Sequence, residues 1–193
     1  MIVLIGGAPG VGKSIVAYQL ARELALLRLI DLDILRDVLR MQSREKDDPI
    51  LFRNALNAWE LHGDFCPKTV LDGFEAHIRP LTGVAFRLVD SYLSTGKSAI
   101  FHGAALVPGQ MARYHQRGVL SVVLAARSEA AYRDRFIDKH RMRTGRDPAD
   151  VRIQAGWILH QKIVADAEAS GLQVVDAESP ADAVAALMRR ISS

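Results

Sequence analysis

The chain has 193 residues, 49% of them hydrophobic, and a chain of this size buries about 70% of its unfolded surface, enough for one core without metal or disulfide support. Its 25 Lys and Arg against 22 Asp and Glu leave a formal charge of +3, too even a balance for nucleic acid to be the main partner despite a pI near 9.2. Cys66 is the only cysteine, which excludes an internal disulfide and suits a reducing cytoplasm. No stretch combines the length and apolarity of a membrane span, and no basic segment leads into a removable apolar one, so no membrane partner is expected.

Read in chain order, Ile2 to Ile5 is a short apolar strand that runs into the segment GAPGVGKS, comprising Gly7, Ala8, Pro9, Gly10, Val11, Gly12, Lys13 and Ser14. Gly, four free positions and then Gly-Lys-Ser is the pattern of a phosphate-cradling loop. The glycines let successive amides turn onto phosphate oxygens, Lys13 reaches the β and γ phosphates, and Ser14 offers its hydroxyl to Mg²⁺. The helix that opens there, with Val16, Leu20 and Leu24 at helical spacing, adds amides and the favourable end of its dipole. ATP and Mg²⁺ are therefore the expected cofactors.

A second strand spans residues 28–32 and ends in Asp-Leu-Asp, followed by a helix over 34–40 and a polar loop over 42–48. Weak helical patterning resumes over 51–62, while 66–74 fits no single element. Further on, helix is expected over 81–94, strand over 98–101, and loop from His102-Gly103 through Pro108-Gly109. The aliphatic run 119–125 reads as a parallel strand covered on both faces. Helices over 129–142 and about 149–170, a strand over 172–175 and a helix opened by Pro180 complete the chain. Short apolar strands alternating with helices predict one α/β domain, a three-layer sandwich around a parallel sheet.

Asp33 lies just past the second strand, where such folds open a crevice at the carboxyl ends of their strands. A carboxylate there takes the proton of an acceptor hydroxyl or holds Mg²⁺ through water, and Asp33 is also placed to cap the helix at Ile34. Arg36 and Arg40 continue one helix face as clamps for phosphate or carboxylate. Asp72, Glu75 and His77 form a polar cluster with Glu75 as a substrate contact. His102 follows the third strand and is read both as a phosphate contact and as a structural histidine. The basic run from Arg127 to Arg146 is expected to supply a helical lid over 127–152, with Arg141 and Arg146 brought to the transferring charge and Arg152 facing the crevice.

The chain resembles the 2-phosphoglycerate kinases and their relatives among the small-molecule P-loop kinases. The resemblance rests on GGAPGVGKS at 6–14, LDILRDVLR at 32–40, DGF at 72–74, IFHGAALVPG at 100–109, RF at 135–136 and VRIQ at 151–154. It implies a five-stranded parallel sheet in the order 2-3-1-4-5 and transfer of phosphate from ATP to the hydroxyl of a small anionic metabolite. It places Lys13 and Ser14 on nucleotide and Mg²⁺, Asp33 on the acceptor side, and Arg36 and Arg152 on anions. The chain departs from the family at Leu32, where Thr is usual, and at His102, where Glu is usual. A kinase for a nucleoside, a shikimate-like compound or an antibiotic stays open beside this reading, as does a nucleotide-binding regulatory protein without turnover. Monomer and homodimer are equally open.

Overall fold

A computed structural model describes residues 1–191. Five strands, β1 (Ile2–Gly6), β2 (Leu29–Asp31), β3 (Ala99–His102), β4 (Leu120–Ala125) and β5 (Gln173–Asp176), form one all-parallel sheet in the order β2-β3-β1-β4-β5. Seven helices surround it among the described residues: α1 (Lys13–Glu23), α2 (Ile34–Met41), α3 (Pro67–Ser94), α4 (Pro108–His115), α5 (Glu129–Thr144), α6 (Asp150–Ala169) and α7 (Pro180–Ile191). On one face α1 lies against β1, β2 and β3 with α7 beside it, and on the other α3, α4 and α6 cover β1, β4 and β5. This is the three-layer sandwich expected from the alternation of strands and helices. The central strands β1 and β3 are buried along their whole length, as a sheet covered by helices on both faces requires.

Two elements differ from the sequence reading. The third helix begins at Pro67 rather than near residue 81, and it runs for 28 residues through an internal Pro80. Its start is a capping box: the Thr69 amide donates to Cys66 Sγ at 3.5 Å and the Cys66 amide donates to Thr69 Oγ1 at 3.1 Å, with Pro67 at the first position, where its missing N–H costs nothing. Gly73, inside this helix, presses on the 3-10 turn Ala58–Leu61, and a Cβ there would sit 2.5 Å from the Trp59 amide nitrogen. The DGF segment therefore has a packing reason for its glycine. The second difference is α4, which Pro108-Gly109 opens where a loop was expected, since proline is well suited to a first turn.

The registry aligns the chemistry at one end of the sheet. Ile5 on β1 pairs with His102 on β3, and Asp31 on β2 pairs with the same residue, so the loop after β1, the end of β2 and the end of β3 open onto one crevice.

Candidate active site

The loop between β1 and α1 takes its shape from three positive-φ glycines, Gly7 at 137°, Gly10 at 92° and Gly12 at 96°. At Gly7 a Cβ would meet the Leu124 carbonyl at 2.6 Å, and at Gly10 it would meet the Phe136 ring at 2.7 Å, so both positions require glycine for space as well as conformation. Lys13 is buried and its Nζ donates to the Gly7 and Ala8 carbonyls, each at 2.9 Å. Burial pulls its pKa down to about 8, with Lys139 pushing the same way and Asp33 and Asp31 opposing. Ser14, the next residue, is exposed at the start of α1.

Asp33 occupies the capping position of α2 but makes no capping hydrogen bond with its side chain, so its carboxylate stays exposed for other work. Its backbone amide donates to Asp31 Oδ1 at 3.0 Å, which ties the two acidic residues into one turn. A Cβ on Gly103 would lie 3.4 Å from Asp33 Oδ1, so the glycine after His102 leaves room for that carboxylate. His102 is buried with its Nδ1 3.9 Å from Asp31 Oδ1, and burial lowers its pKa, with Asp31 opposing and Lys13 reinforcing. Asp31 escapes a reading of the sequence by motif. Its position opposite His102 in the β2 and β3 pairing is what brings it to the crevice.

The side where an acceptor was expected is built by α2 and α3, which pack against each other. Arg36 is half-buried and its terminal nitrogen reaches Asp37 at 3.0 Å, while its Nε is buried without a partner. Arg40 is more exposed and shares Asp37 at 3.4 Å. Of the polar cluster expected on α3, only His77 turns inward, into a stripe with Phe74, Ile78 and Leu81. It lies within electrostatic reach of Arg36 and Asp33. Glu75 sits about 200° around the helix from it. It is exposed, pairs with Arg79 at 3.1 Å and lines a groove with Lys162, away from the phosphate loop.

The basic segment also differs from expectation in which residues it delivers. Helix α5 lies directly on the phosphate loop through one stripe, Tyr132, Arg135, Phe136 and Lys139, at the spacing of a helix face. Tyr132 donates to the Pro9 carbonyl at 2.7 Å, Arg135 donates to the Val11 carbonyl at 3.0 Å, and Lys139 is close enough to depress the ammonium of Lys13. Arg141 and Arg146, by contrast, are not brought to the loop. Arg141 is exposed and forked onto Asp147 across the turn, its Nη2 at 3.0 Å from Oδ2, and Arg146 is exposed just past Gly145, which ends the helix in the left-handed conformation. Arg152 stands in the first turn of α6 with its Nε buried and unpartnered. It shares a face with Gly156, which packs against Tyr132 and Leu56.

No protein-family model matches the chain. It is 32% identical to the 2-phosphoglycerate kinase of Methanococcus vannielii over 145 residues, covering 71% of this chain and 46% of that protein. To the 2-phosphoglycerate kinase of Methanopyrus kandleri it is 28% identical over 199 aligned positions, covering 100% of this chain and 61% of that protein. The chain is similar to these kinases over most of its own length. It spans about half the length of the curated 2-phosphoglycerate kinases it matches. Among solved structures, a shikimate kinase from Bacteroides thetaiotaomicron superposes with a TM-score of 0.54 at 15% identity, covering 100% of this chain and 99% of that one. A sugar kinase from Janibacter superposes with a TM-score of 0.55 at 16% identity, covering 99% and 94%. The chain thus shares the fold of these two kinases, with the strand order expected for it.

The donor set suits a hard divalent cation. Mg²⁺ prefers oxygen and is commonly held by one or two protein groups together with substrate phosphates. The Ser14 hydroxyl and the carboxylates of Asp31 and Asp33 are such groups. No cluster of three or more His, Cys, Asp or Glu that could hold a metal ion is found among the described residues.

Proposed function

We propose that the protein transfers the γ-phosphoryl group of ATP to the hydroxyl of a small anionic metabolite, and that 2-phosphoglycerate is that acceptor. The observation that carries this reading is the meeting, at one end of the sheet, of a phosphate loop closed by Lys13, Arg135 and Lys139 with an acceptor wall made by Asp33, Arg36 and His77.

The loop amides from Gly7 to Ser14 hold the triphosphate. Lys13 exchanges its contacts with the Gly7 and Ala8 carbonyls for phosphate oxygens. Ser14 and the Asp31 carboxylate would hold Mg²⁺, with Asp33 reaching it through water and so keeping its own oxygens free, and the ion when bound would neutralise charge on the β and γ phosphates. As the acceptor oxygen bonds to the γ-phosphorus, the bond from that phosphorus to the β-bridging oxygen breaks and ADP leaves. The hydroxyl proton passes to the Asp33 carboxylate, which no helix cap occupies. Arg135 and Lys139 face the equatorial oxygens of the moving group, where fixed positive charge lowers the barrier most. Arg36 and Arg152 hold the anionic part of the acceptor, and each has a buried Nε without a partner. Alignment and preorganised charge do most of the work, since the reaction needs no covalent enzyme intermediate.

The test is direct. Purified protein with Mg²⁺ and ATP is offered 2-phosphoglycerate, glycerate, shikimate, sugars and nucleosides, and product is followed by phosphorus NMR. A bisphosphorylated product from 2-phosphoglycerate, absent with Lys13→Ala, is expected. No product from any acceptor above that control, with ATP binding intact in calorimetry, would replace this reading with that of a nucleotide-binding regulatory protein.

A further inference from the structure

Helix α5 fastens two alternate carbonyls of the phosphate loop. The Tyr132 hydroxyl donates to the Pro9 carbonyl at 2.7 Å, and a terminal nitrogen of Arg135 donates to the Val11 carbonyl at 3.0 Å. Each carbonyl shares a planar trans peptide with the amide that follows it, so the C=O and the N–H point in opposite directions. With the Pro9 carbonyl turned onto α5, the Gly10 amide is turned away from it, and Val11 and Gly12 repeat the arrangement. The amide between them is spent inside the loop, since Val11 N–H folds back toward the Ala8 carbonyl at 3.5 Å. Among the described residues neither the Gly10 nor the Gly12 amide donates to a backbone carbonyl. Lys13 does not aim them. It holds the carbonyls of Gly7 and Ala8, whose peptide partners are the Ala8 amide and the Pro9 nitrogen, which has no hydrogen.

We infer that Tyr132 is a positioning residue for the nucleotide: by holding the Pro9 carbonyl, its hydroxyl aims the Gly10 amide at a phosphate oxygen of the bound triphosphate, as Arg135 aims the Gly12 amide through Val11. The inference rests on the nucleotide half of the kinase reading, the binding of a triphosphate in the loop, and is independent of the acceptor.

The loop needs such a hold because its glycines make it permissive. Gly10 and Gly12 have φ of 92° and 96°, and glycine takes positive and negative φ about equally readily. The peptide ahead of each can therefore turn over at little cost, which would set a carbonyl oxygen against the anion in place of an amide. One hydrogen bond that selects between the two orientations is worth about three- to tenfold in their ratio. A ligand that binds one orientation loses affinity in proportion to the population that leaves it. Tyr132 is built to supply that bond. Its side chain is 1% exposed, with its ring centre 5.8 Å from that of Phe136 and 5.8 Å from that of Trp157. Helix α6 leaves room for the hydroxyl at Gly156, where a Cβ would overlap the Tyr132 oxygen. Because packing holds the ring, the hydroxyl can be removed while the ring stays in place.

The experiment compares wild type with Tyr132→Phe in the full chain. Calorimetry measures the affinity for a non-hydrolysable ATP analogue with Mg²⁺ and for Mg²⁺-tripolyphosphate, and selective ¹⁵N labelling of the 14 glycines reports on the loop amides. The variant is expected to melt cooperatively and to bind both ligands about three- to tenfold more weakly, since the lost alignment acts on phosphate alone. Without ligand, its Gly10 resonance should be displaced from that of wild type while Gly12 stays in place. At saturation the Gly10 difference should shrink by at least half, because the phosphate then selects the orientation that the hydroxyl selected before. A displacement that persists undiminished in the bound state reports only the missing hydroxyl and would overturn the inference, as would affinities within twofold of wild type. In either case binding of the analogue by wild type leaves the nucleotide reading standing. Failure of wild type to bind both the analogue and tripolyphosphate would remove both. Tyr132→Met, which fills the same space with a flexible apolar chain, supplies the same measurements should Tyr132→Phe not melt cooperatively.

Discussion

Lys13 is the residue where burial and function are most openly opposed. An ammonium group in a dry loop is held by two carbonyls and depressed to a pKa of about 8, well below the ordinary lysine value of 10.5. A difference of that size corresponds to roughly 3 kcal/mol against the charged form in the folded state. The sign follows from proton counting. Below pH 8 the lysine is protonated both folded and unfolded, and the full penalty applies. Between pH 8 and 10.5 the unfolded chain binds more protons than the folded one, so the contribution of Lys13 to stability improves as the pH rises. Nucleotide affinity moves the other way, because a triphosphate favours the charged ammonium. ATP affinity should hold steady from pH 6.5 to 7.5 and fall about 10-fold per pH unit at most above pH 8, with proton uptake on binding at pH 8.5. Fluorescence or calorimetric titration across that range, with Lys13→Ala as control, measures it, and a pH-independent affinity up to pH 9.5 would refute the assignment. His77 was open to the sequence in a weaker way. A histidine in line with Phe74, Ile78 and Leu81 on a helix face is a buried histidine, but the face becomes visible only once the helix is known to start at Pro67.

At the scale of elements, helix α5 decides which basic residues matter. The abundance of arginine between Arg127 and Arg146 suggested a lid but said nothing about which side of the helix meets the phosphate loop. The positions Tyr132, Arg135, Phe136 and Lys139 are the ones in register with it, and Tyr132 and Phe136 fix that register by packing on Gly10. Arg141 instead closes the following turn with Asp147. Replacing Arg135 with alanine should therefore lower kcat by about 100-fold, the scale of losing one preorganised donor to a developing charge. Arg141→Ala should change kcat by less than about threefold, since exposed ion pairs contribute little and this one touches neither loop nor crevice. Steady-state kinetics with both variants tests the assignment, and the reverse order of effects would return the lid to the residues of the turn. Strands β1, β3 and β4 were legible because strands buried on both faces are written as near-continuous apolar runs. The opening of α3 and the whole of α4 were not, because Pro67, Gly73, Pro80 and Pro108-Gly109 carry the signature of turns. Only the capping box at Cys66 and the close approach of Gly73 to Trp59 show that this proline and glycine content serves helices.

For the molecule as a whole, the nucleotide loop is a junction between layers. Its amides belong to the loop between β1 and α1, its outer wall to α5, and its support to α6 through the contact of Gly156 with Tyr132. No helix of the described residues is long and apolar enough to cross a membrane, and the buried side chains form one cluster that runs from Ile2 to Leu187 across both faces of the sheet. A ligand held by the loop thus engages the same core whose collapse defines unfolding. Binding to the folded form alone adds about 2.7 kcal/mol at a concentration one hundred times the Kd. For a domain of this size each kcal/mol moves the melting temperature by roughly 2–4 °C, so saturating Mg²⁺ and ATP should raise it by about 5–10 °C. ATP with EDTA should give less than half of that shift, because the oxygen donors at Ser14, Asp31 and Asp33 then lack the ion that joins them to the phosphates. Lys13→Ala should give almost none. Differential scanning calorimetry on the three samples checks the order. Equal shifts with and without Mg²⁺ would mean that those oxygens play no part in holding the nucleotide, and an undiminished shift in Lys13→Ala would place the nucleotide outside the loop.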